Sequence, residues 1–447
     1  MPRAKHLPNR IALGSLLIAF CAATAAGQAP RVKKTVPANG AVDVDPDLRE
    51  IVVEFDRDMV RNSHSWVGGG PMFPELRGEP IWRSARVAVL RVKLEPDRKY
   101  VIRINSSTFR NFKGRGGESA RPYMLRFRTA GGGAETLVSV EDNRNAIEDL
   151  REAINQRYSY RDLHKIDWDA VIDEYQSVLE NAETTHAFAR EAGKMLARNK
   201  DRHVFLKVGD VSYASHTRRL RPNCNIAVVR KLVPHYKMQN DVVATGRFDD
   251  NIGYINIRAL PGNQASAFAA ALDALDEFAD TKGLIVDLRL NSGGSETLAQ
   301  QFAGCFVEKT TPYARHVSRD VDSPGGFTKP ITRAFVPAEG RKRYRGPVAV
   351  LTGRAVMSSA EAFLLMMKQV PRCKLFGETS YGSSGNPKPT QLSNGVTVFL
   401  PSWKAMTLGG EFYEGKGIAA DVTVQISASE YVRSDPVLEA ALKYLRE

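Results

Sequence analysis

At 447 residues, 43% of them apolar and 25% charged, the chain is excluded from the disordered and membrane-embedded classes, and it is long enough for two or three domains with their own cores. Its formal charge of +13 becomes +10 without Arg3, Lys5 and Arg10, and much of the remainder lies in two short runs, Arg218-Arg219-Arg221 and Arg341-Lys342-Arg343-Arg345. No nucleic-acid recognition motif accompanies these runs, so they read as solvated faces or as a surface for an anionic envelope partner.

The first element is a leader over residues 1–27. Arg3, Lys5 and Arg10 form a basic start, Ile11 to Cys21 an apolar stretch, and Ala23-Thr24-Ala25 a small-residue cleavage pattern. The apolar run is shorter than the about twenty residues that cross a bilayer, and no later stretch reaches that length. The mature chain is therefore expected to begin near Gly27, in a periplasmic or extracellular compartment, without a transmembrane segment. A lipidated start at Cys21 is the lesser alternative, because bulky Phe20 precedes it. Cys224, Cys305 and Cys373 then remain, an odd number without metal-type spacing; one disulfide is permitted and none is required.

Residues 30–130 alternate apolar and polar positions, as in Ile51-Val52-Val53-Glu54-Phe55 and Val87 to Val92, between Pro-Asp and Gly-rich turns. A period of two predicts a small all-β sandwich. Its opening Pro37-Ala38-Asn39-Gly40-Ala41 and closing Phe127-Arg128-Thr129 resemble bacterial Ig-like (SbsA-type) modules, and it reads as a spacer. Gly131-Gly132-Gly133 opens a flexible linker over 131–136. Over 137–207 the period changes: Ile147, Leu150 and Ile154, then Val171, Tyr175 and Leu179, recur at three and four residues and predict a small helical subdomain. The remaining core, 208–447, alternates strand and helix. Apolar strands are expected at 254–257, 284–288, 348–351, 373–376 and 396–400, with helices around Phe268 and over 360–368, which is an α/β layered pattern carrying its ligands at strand ends.

Three clusters fall at such ends. Asp287-Leu288-Arg289-Leu290-Asn291-Ser292-Gly293-Gly294 leaves a strand with paired glycines whose N–H groups can face a ligand, as an oxyanion hole requires. In Thr352 to Glu361 a strand runs into a helix headed by Ser358 and Ser359, where a hydroxyl meets unpaired N–H groups; taken alone, such a serine is as well explained as a helix cap. The third cluster is Tyr413-Glu414-Gly415-Lys416-Gly417-Ile418-Ala419-Ala420-Asp421.

In this order the clusters resemble the tail-specific (C-terminal processing) protease family, peptidase S41, over roughly the last two hundred residues and more weakly over the helices before them. The resemblance implies a crotonase/ClpP-like layered core and a serine-type endopeptidase acting on proteins or peptides, with Ser358 as nucleophile and the Ser359 N–H as one oxyanion donor. Gly293 or Gly294 supplies the other. The lysine of the best-known branch is missing, since Ser383 stands at its position. A serine hydroxyl needs a base, and Asp201-Arg202-His203 is similar to the D-x-H segment of the lysine-free, tricorn-like branch, which carries a serine where this chain has Arg202. The resemblance thus makes His203 the base and Glu414 its orienter, with His216, His235 and Lys388 as competitors and Glu361 in a structural role. Only about forty residues separate Gly209 from Asn251, too few for a peptide-recruiting PDZ domain. No H-E-x-x-H or phosphate-binding glycine loop occurs, so no metal or other cofactor is expected. The rival reading is a binding protein without turnover on the same scaffold, motivated by the absent lysine.

Overall fold

The computed structural model describes residues 29–96, 98–130, 136–216, 222–425 and 430–447; the leader read at 1–27 lies outside them. The chain divides between Gly132 and Gly133 into two compact units.

The first unit is all-β. Strands β1 (Val32–Val36), β2 (Glu50–Phe55) and β3 (Val87–Lys93) form an antiparallel sheet, with the short Glu75–Leu76 and Ile81–Trp82 also paired to β3. A second antiparallel sheet joins Trp66–Val67, β4 (Lys99–Ile104) and β5 (Tyr123–Arg128). Ile51, Val53 and Phe55 of β2 share one apolar cluster with Ile102 and Ile104 of β4 and with Leu125 and Phe127 of β5. Alternate residues of each strand enter that cluster, as period-two patterning requires.

The second unit opens with α1 (Val140–Arg157), α2 (Trp168–Glu180) and α3 (Thr185–Leu196). Ser139 and Asp142 close the start of α1 reciprocally, and Asp167 and Thr184 cap α2 and α3. The apolar faces of these helices do not form a separate core. They pack with Leu206 of β6 (Phe205–Val208) and with Leu392, Val396, Val398 and Leu400 from far downstream. β6 lies between β7 (Val211–Ala214) and a strand at Thr397–Pro401, so early and late chain share one sheet.

The rest of the unit surrounds a seven-stranded sheet. After α4 (Ile226–Leu232) come Lys237–Met238, β8 (Val243–Arg247), β9 (Ile252–Ile257), α5 (Ala265–Glu277), β10 (Gly283–Asp287), α6 (Glu296–Gly304), β11 (Thr311–Ser318) and β12 (Ile331–Phe335). They are followed by β13 (Val348–Thr352), α7 (Ser359–Met367), β14 (Cys373–Gly377), β15 (Pro387–Gln391), β16 (Thr397–Pro401), β17 (Trp403–Met406), Val422–Thr423 and α8 (Pro436–Arg446). The sheet order is Lys237–Met238, β8, β9, β10, β13, β14, Val422–Thr423. From β9 onward every pairing is parallel. Every residue of β9, β10 and β13 is buried, which is why these strands are continuous apolar runs rather than alternating ones. Two smaller sheets, β7-β6-β16-β15 and β12-β11-β17, complete the unit. Cys224, Cys305 and Cys373 are free thiols, so the permitted disulfide does not form. No helix among the described residues is long and apolar enough to cross a membrane.

Arg289, just past β10, is wholly buried. Its guanidinium donates to Asp287 at 3.0 and 2.7 Å, to Asp435 at 2.8 Å and to the Asn223 carbonyl at 3.2 Å. Asp435 also caps α8 through the Leu438 N–H. Burial favours the neutral form of Asp287, but the Arg289 charge outweighs it and holds the carboxyl below its ordinary value. Arg289→Met leaves two buried carboxylates without their cation. The expected loss of stability is about 3–5 kcal/mol, seen as a lower urea midpoint for the full chain, and an unchanged midpoint would contradict this account of the anchor.

Candidate active site

Three adjacent parallel strands, β10, β13 and β14, deliver three loops to one place. β13 is the middle strand, and its loop ends at Ser358, whose backbone takes φ 58° and ψ −132° before α7 begins. A non-glycine residue held there is strained, and such strain persists only where the surroundings impose it. The imposing group is Glu361. Its buried carboxylate accepts the Ser358 N–H at 3.1 Å, the Ser383 N–H at 2.9 Å, the Gly382 N–H at 2.7 Å and the Ser380 hydroxyl at 2.5 Å. Burial raises this carboxyl and the four donors oppose the rise, so that it stands at about 7. Three of those donors are amides that cannot accept a proton in return, so the surroundings suit the carboxylate. Glu361 is thus structural, as the sequence suggested, and ties the Ser358 turn to the loop after β14.

The Ser358 hydroxyl is directed at His203, whose Nε2 lies 2.9 Å from Oγ. His203 sits just before β6, where its own N–H donates to Asp201 at 2.8 Å and Asp201 in turn accepts the Tyr158 hydroxyl at 3.0 Å. The imidazole is 8% exposed. Burial, and secondarily the charge of Arg202, push it down to about 4. The competitors lie elsewhere: His235 is exposed at a positive-φ turn, Lys388 is exposed on β15, and His216 lines a separate cleft of about 360 Å³ with Asp201 and Glu414.

On the β10 side, Gly293 packs against Ser358 so closely that a Cβ would stand 2.8 Å from the Ser358 Cβ. Of the two glycines offered as oxyanion donors, the geometry retains one. The Gly293 N–H is taken by the Asn291 side chain at 2.8 Å in an Asx turn. The Gly294 and Ser359 N–H groups have no hydrogen-bond partner among the described residues. Gly294 has φ +132°, and a Cβ there would fall 1.9 Å from the Leu260 carbonyl oxygen, so this amide can be presented only by glycine. Beside them opens a cleft of about 420 Å³ lined by Gly294, Ser358, Ser359, Ser384, Arg333 and Trp403, among others.

Glu414 corrects the sequence reading. It does not bond the imidazole; its Oε2 accepts the Ser384 N–H at 2.6 Å and the Ser384 hydroxyl at 3.1 Å. The ring nitrogen that faces away from Ser358, His203 Nδ1, is met by the Ser383 hydroxyl at 2.8 Å. Burial, then the charge of Asp201, push the Glu414 carboxyl well above its ordinary range. Ser383 was noticed in the sequence only as the residue at the place of an absent lysine, and no local pattern shows that its hydroxyl faces a ring from 180 residues upstream. The assembly, a hydroxyl paired to a buried neutral imidazole beside two unengaged amides, can transfer a proton and hold a developing oxyanion.

If Glu361 is the constraint, Glu361→Gln turns an NH₂ group toward backbone N–H donors. The expected cost is about 1–3 kcal/mol, measured by thermal unfolding, with the loop over residues 380–383 losing amide-exchange protection first.

Residues 251–424 match the model of Peptidase family S41, and residues 140–197 match that of the Tricorn protease C1 domain. Among curated relatives, Carboxy-terminal processing protease CtpB of Bacillus subtilis is 27% identical over 187 residues, which are 42% of this chain and 36% of the relative. Carboxy-terminal processing protease CtpA of the same organism is 26% identical over 222 residues, 50% of this chain and 44% of the relative. The chain therefore spans less than half the length of these two relatives. A solved structure from Parabacteroides merdae, described as that of a candidate peptidase, is 25% identical with a TM-score of 0.58 and covers 69% of this chain and 98% of its own. The segment that carries Ser358, both glycines, Glu361, Ser383 and Glu414 is accordingly a match to peptidase family S41, a family of serine-type peptidases, preceded by a Tricorn C1-type helical segment.

Proposed function

We propose that the chain is an exported serine-type endopeptidase that hydrolyses peptide bonds of proteins or peptides through an acyl-enzyme on Ser358. The observation that carries this reading is the 2.9 Å contact between the Ser358 hydroxyl and a buried imidazole, at a strained turn beside two unengaged amides. In the proposed cycle His203 Nε2 takes the Ser358 proton as Oγ bonds to the scissile carbonyl carbon. The carbonyl oxygen, now negative, is held by the Gly294 and Ser359 N–H groups. The imidazolium returns its proton to the leaving amine as the C–N bond breaks, and a water activated by the same nitrogen releases the acyl group. Export rests on the leader at 1–27, and the β-unit is assigned the role of an Ig-like spacer. A protein that bound peptides without turnover would gain nothing from the Ser358–His203 pair.

A serine-directed phosphonate tests the nucleophile. Wild type should label, Ser358→Ala should not, and His203→Ala should label about 10²- to 10⁴-fold more slowly; equal labelling of wild type and Ser358→Ala would falsify the assignment.

The pH profile tests the base. Only neutral imidazole accepts the proton, so activity is present above its pKa and is lost as pH falls through it. Because burial and Arg202 push His203 down to about 4, the acid limb of kcat/KM should lie well below the ordinary imidazole value of 6.5. Arg202→Gln removes one of the two causes and should move the limb to higher pH; a limb that stays in place in this variant speaks against His203 as the titrating group.

A further inference from the structure

The proposed chemistry uses His203 Nε2 and leaves Nδ1, with the buried serine facing it, unexplained. We infer that Ser383 is the positioning residue of the base: a neutral hydroxyl that fixes the plane and tautomer of His203, where serine hydrolases of the familiar triad place a carboxylate. This deepens the peptidase reading and rests on it.

Both ring nitrogens are engaged, Nε2 by Ser358 at 2.9 Å and Nδ1 by Ser383 at 2.8 Å. A ring held at both nitrogens cannot rotate without breaking a contact. For Nε2 to accept the Ser358 proton, Nδ1 must carry the other proton and donate it to Ser383 Oγ. Ser383 is itself held on both sides of its own backbone, because its N–H donates to Glu361 and its carbonyl accepts the Ser358 N–H at 2.8 Å. One residue therefore orients the base with its side chain and anchors the nucleophile with its main chain. Its side chain has almost no freedom, since Ser383 is 1% exposed.

Glu414 supports this arrangement from one residue away. The Ala405 N–H donates to the Tyr160 hydroxyl at 3.1 Å, which leaves the Tyr160 proton for Ser384 Oγ at 2.8 Å and the Ser384 proton for Glu414. The chain of donors has a single consistent direction, and it ends on Glu414 without touching the imidazole. The Glu414 side chain thus holds the Ser384 peptide, and through it the neighbour that faces Nδ1. No full negative charge is bonded to the ring. When Ser358 transfers its proton, the imidazolium is stabilised at Nδ1 by a hydroxyl dipole alone.

Steady-state kinetics of the full chain with a fluorogenic peptide provide the test. Ser383→Ala leaves a buried N–H without an acceptor, and kcat should fall about 10- to 100-fold with KM little changed. Ser383→Thr, which restores a hydroxyl, should recover most of that loss. Ser383→Asp puts a carboxylate at Nδ1, favours the imidazolium and should move the acid limb of kcat/KM to higher pH, a response that a merely structural serine does not give. Glu414→Gln retains an oxygen for the Ser384 donors and should cost far less than Ser383→Ala. The inference is overturned by wild-type kcat in Ser383→Ala, by failure of Ser383→Thr to recover it, or by an unmoved limb in a folded Ser383→Asp. Should the aspartate variant not fold, the alanine and threonine pair decides. A wild-type chain that neither cleaves nor labels at Ser358 removes the peptidase reading itself, an outcome separate from all of these.

Discussion

The site depends on one buried carboxylate that receives four hydrogen bonds. Glu361 joins the turn before α7 to the loop after β14 and, together with the Ser383 carbonyl, holds the Ser358 backbone in a conformation that few L-residues adopt. A carboxylate in so little solvent is costly in isolation and tolerable when its lone pairs are filled. Here the filling groups are the segments that must be brought together. Desolvation, often a liability at a buried acid, becomes the force that makes the loops interdependent.

Around this centre the parallel sheet provides registration. β10, β13 and β14 are neighbours, so their carboxyl ends are fixed relative to one another by the ladder, and each contributes one part: an amide donor, a hydroxyl and the serine facing the imidazole. Arg289 secures the frame from behind, binding Asp287 at the end of β10 to Asp435 at the start of α8. The imidazole of His203 alone comes from outside this sheet. It is carried just ahead of β6, whose partner β16 belongs to the late chain.

Much of this was legible in the sequence, for reasons that can be named. Continuous apolar runs at 254–257, 284–288 and 348–351 signal strands buried on both faces, and the glycine pair after the second signals close backbone approach; both are local facts about side-chain size and polarity. Ser358 and His203 were singled out through motif resemblance, and the fold brings their side chains within 2.9 Å. Position in a motif says that a carboxylate is near, not which atom receives its bond, and so Glu414 was assigned to the ring when its partners are the amide and hydroxyl of Ser384. Gly293 was a missed local signal, since an Asn two residues before a Gly commonly captures that amide in an Asx turn. The facing of Ser383 and His203 has no local signature at all, because it arises only when two loops are folded against each other. The merging of α1–α3 with β16 into one core was hidden for the same reason: periodicity reveals that a helix has an apolar face, not what covers it.

The pairing of β6 with β16 has a temporal consequence. The imidazole and the hydroxyl are 155 positions apart, yet the strand that steadies the imidazole ends only at Pro401. A chain emerging from the ribosome presents Ser358 before the sheet that aligns its partner can close. The pair is therefore completed only when nearly the whole polypeptide has been made.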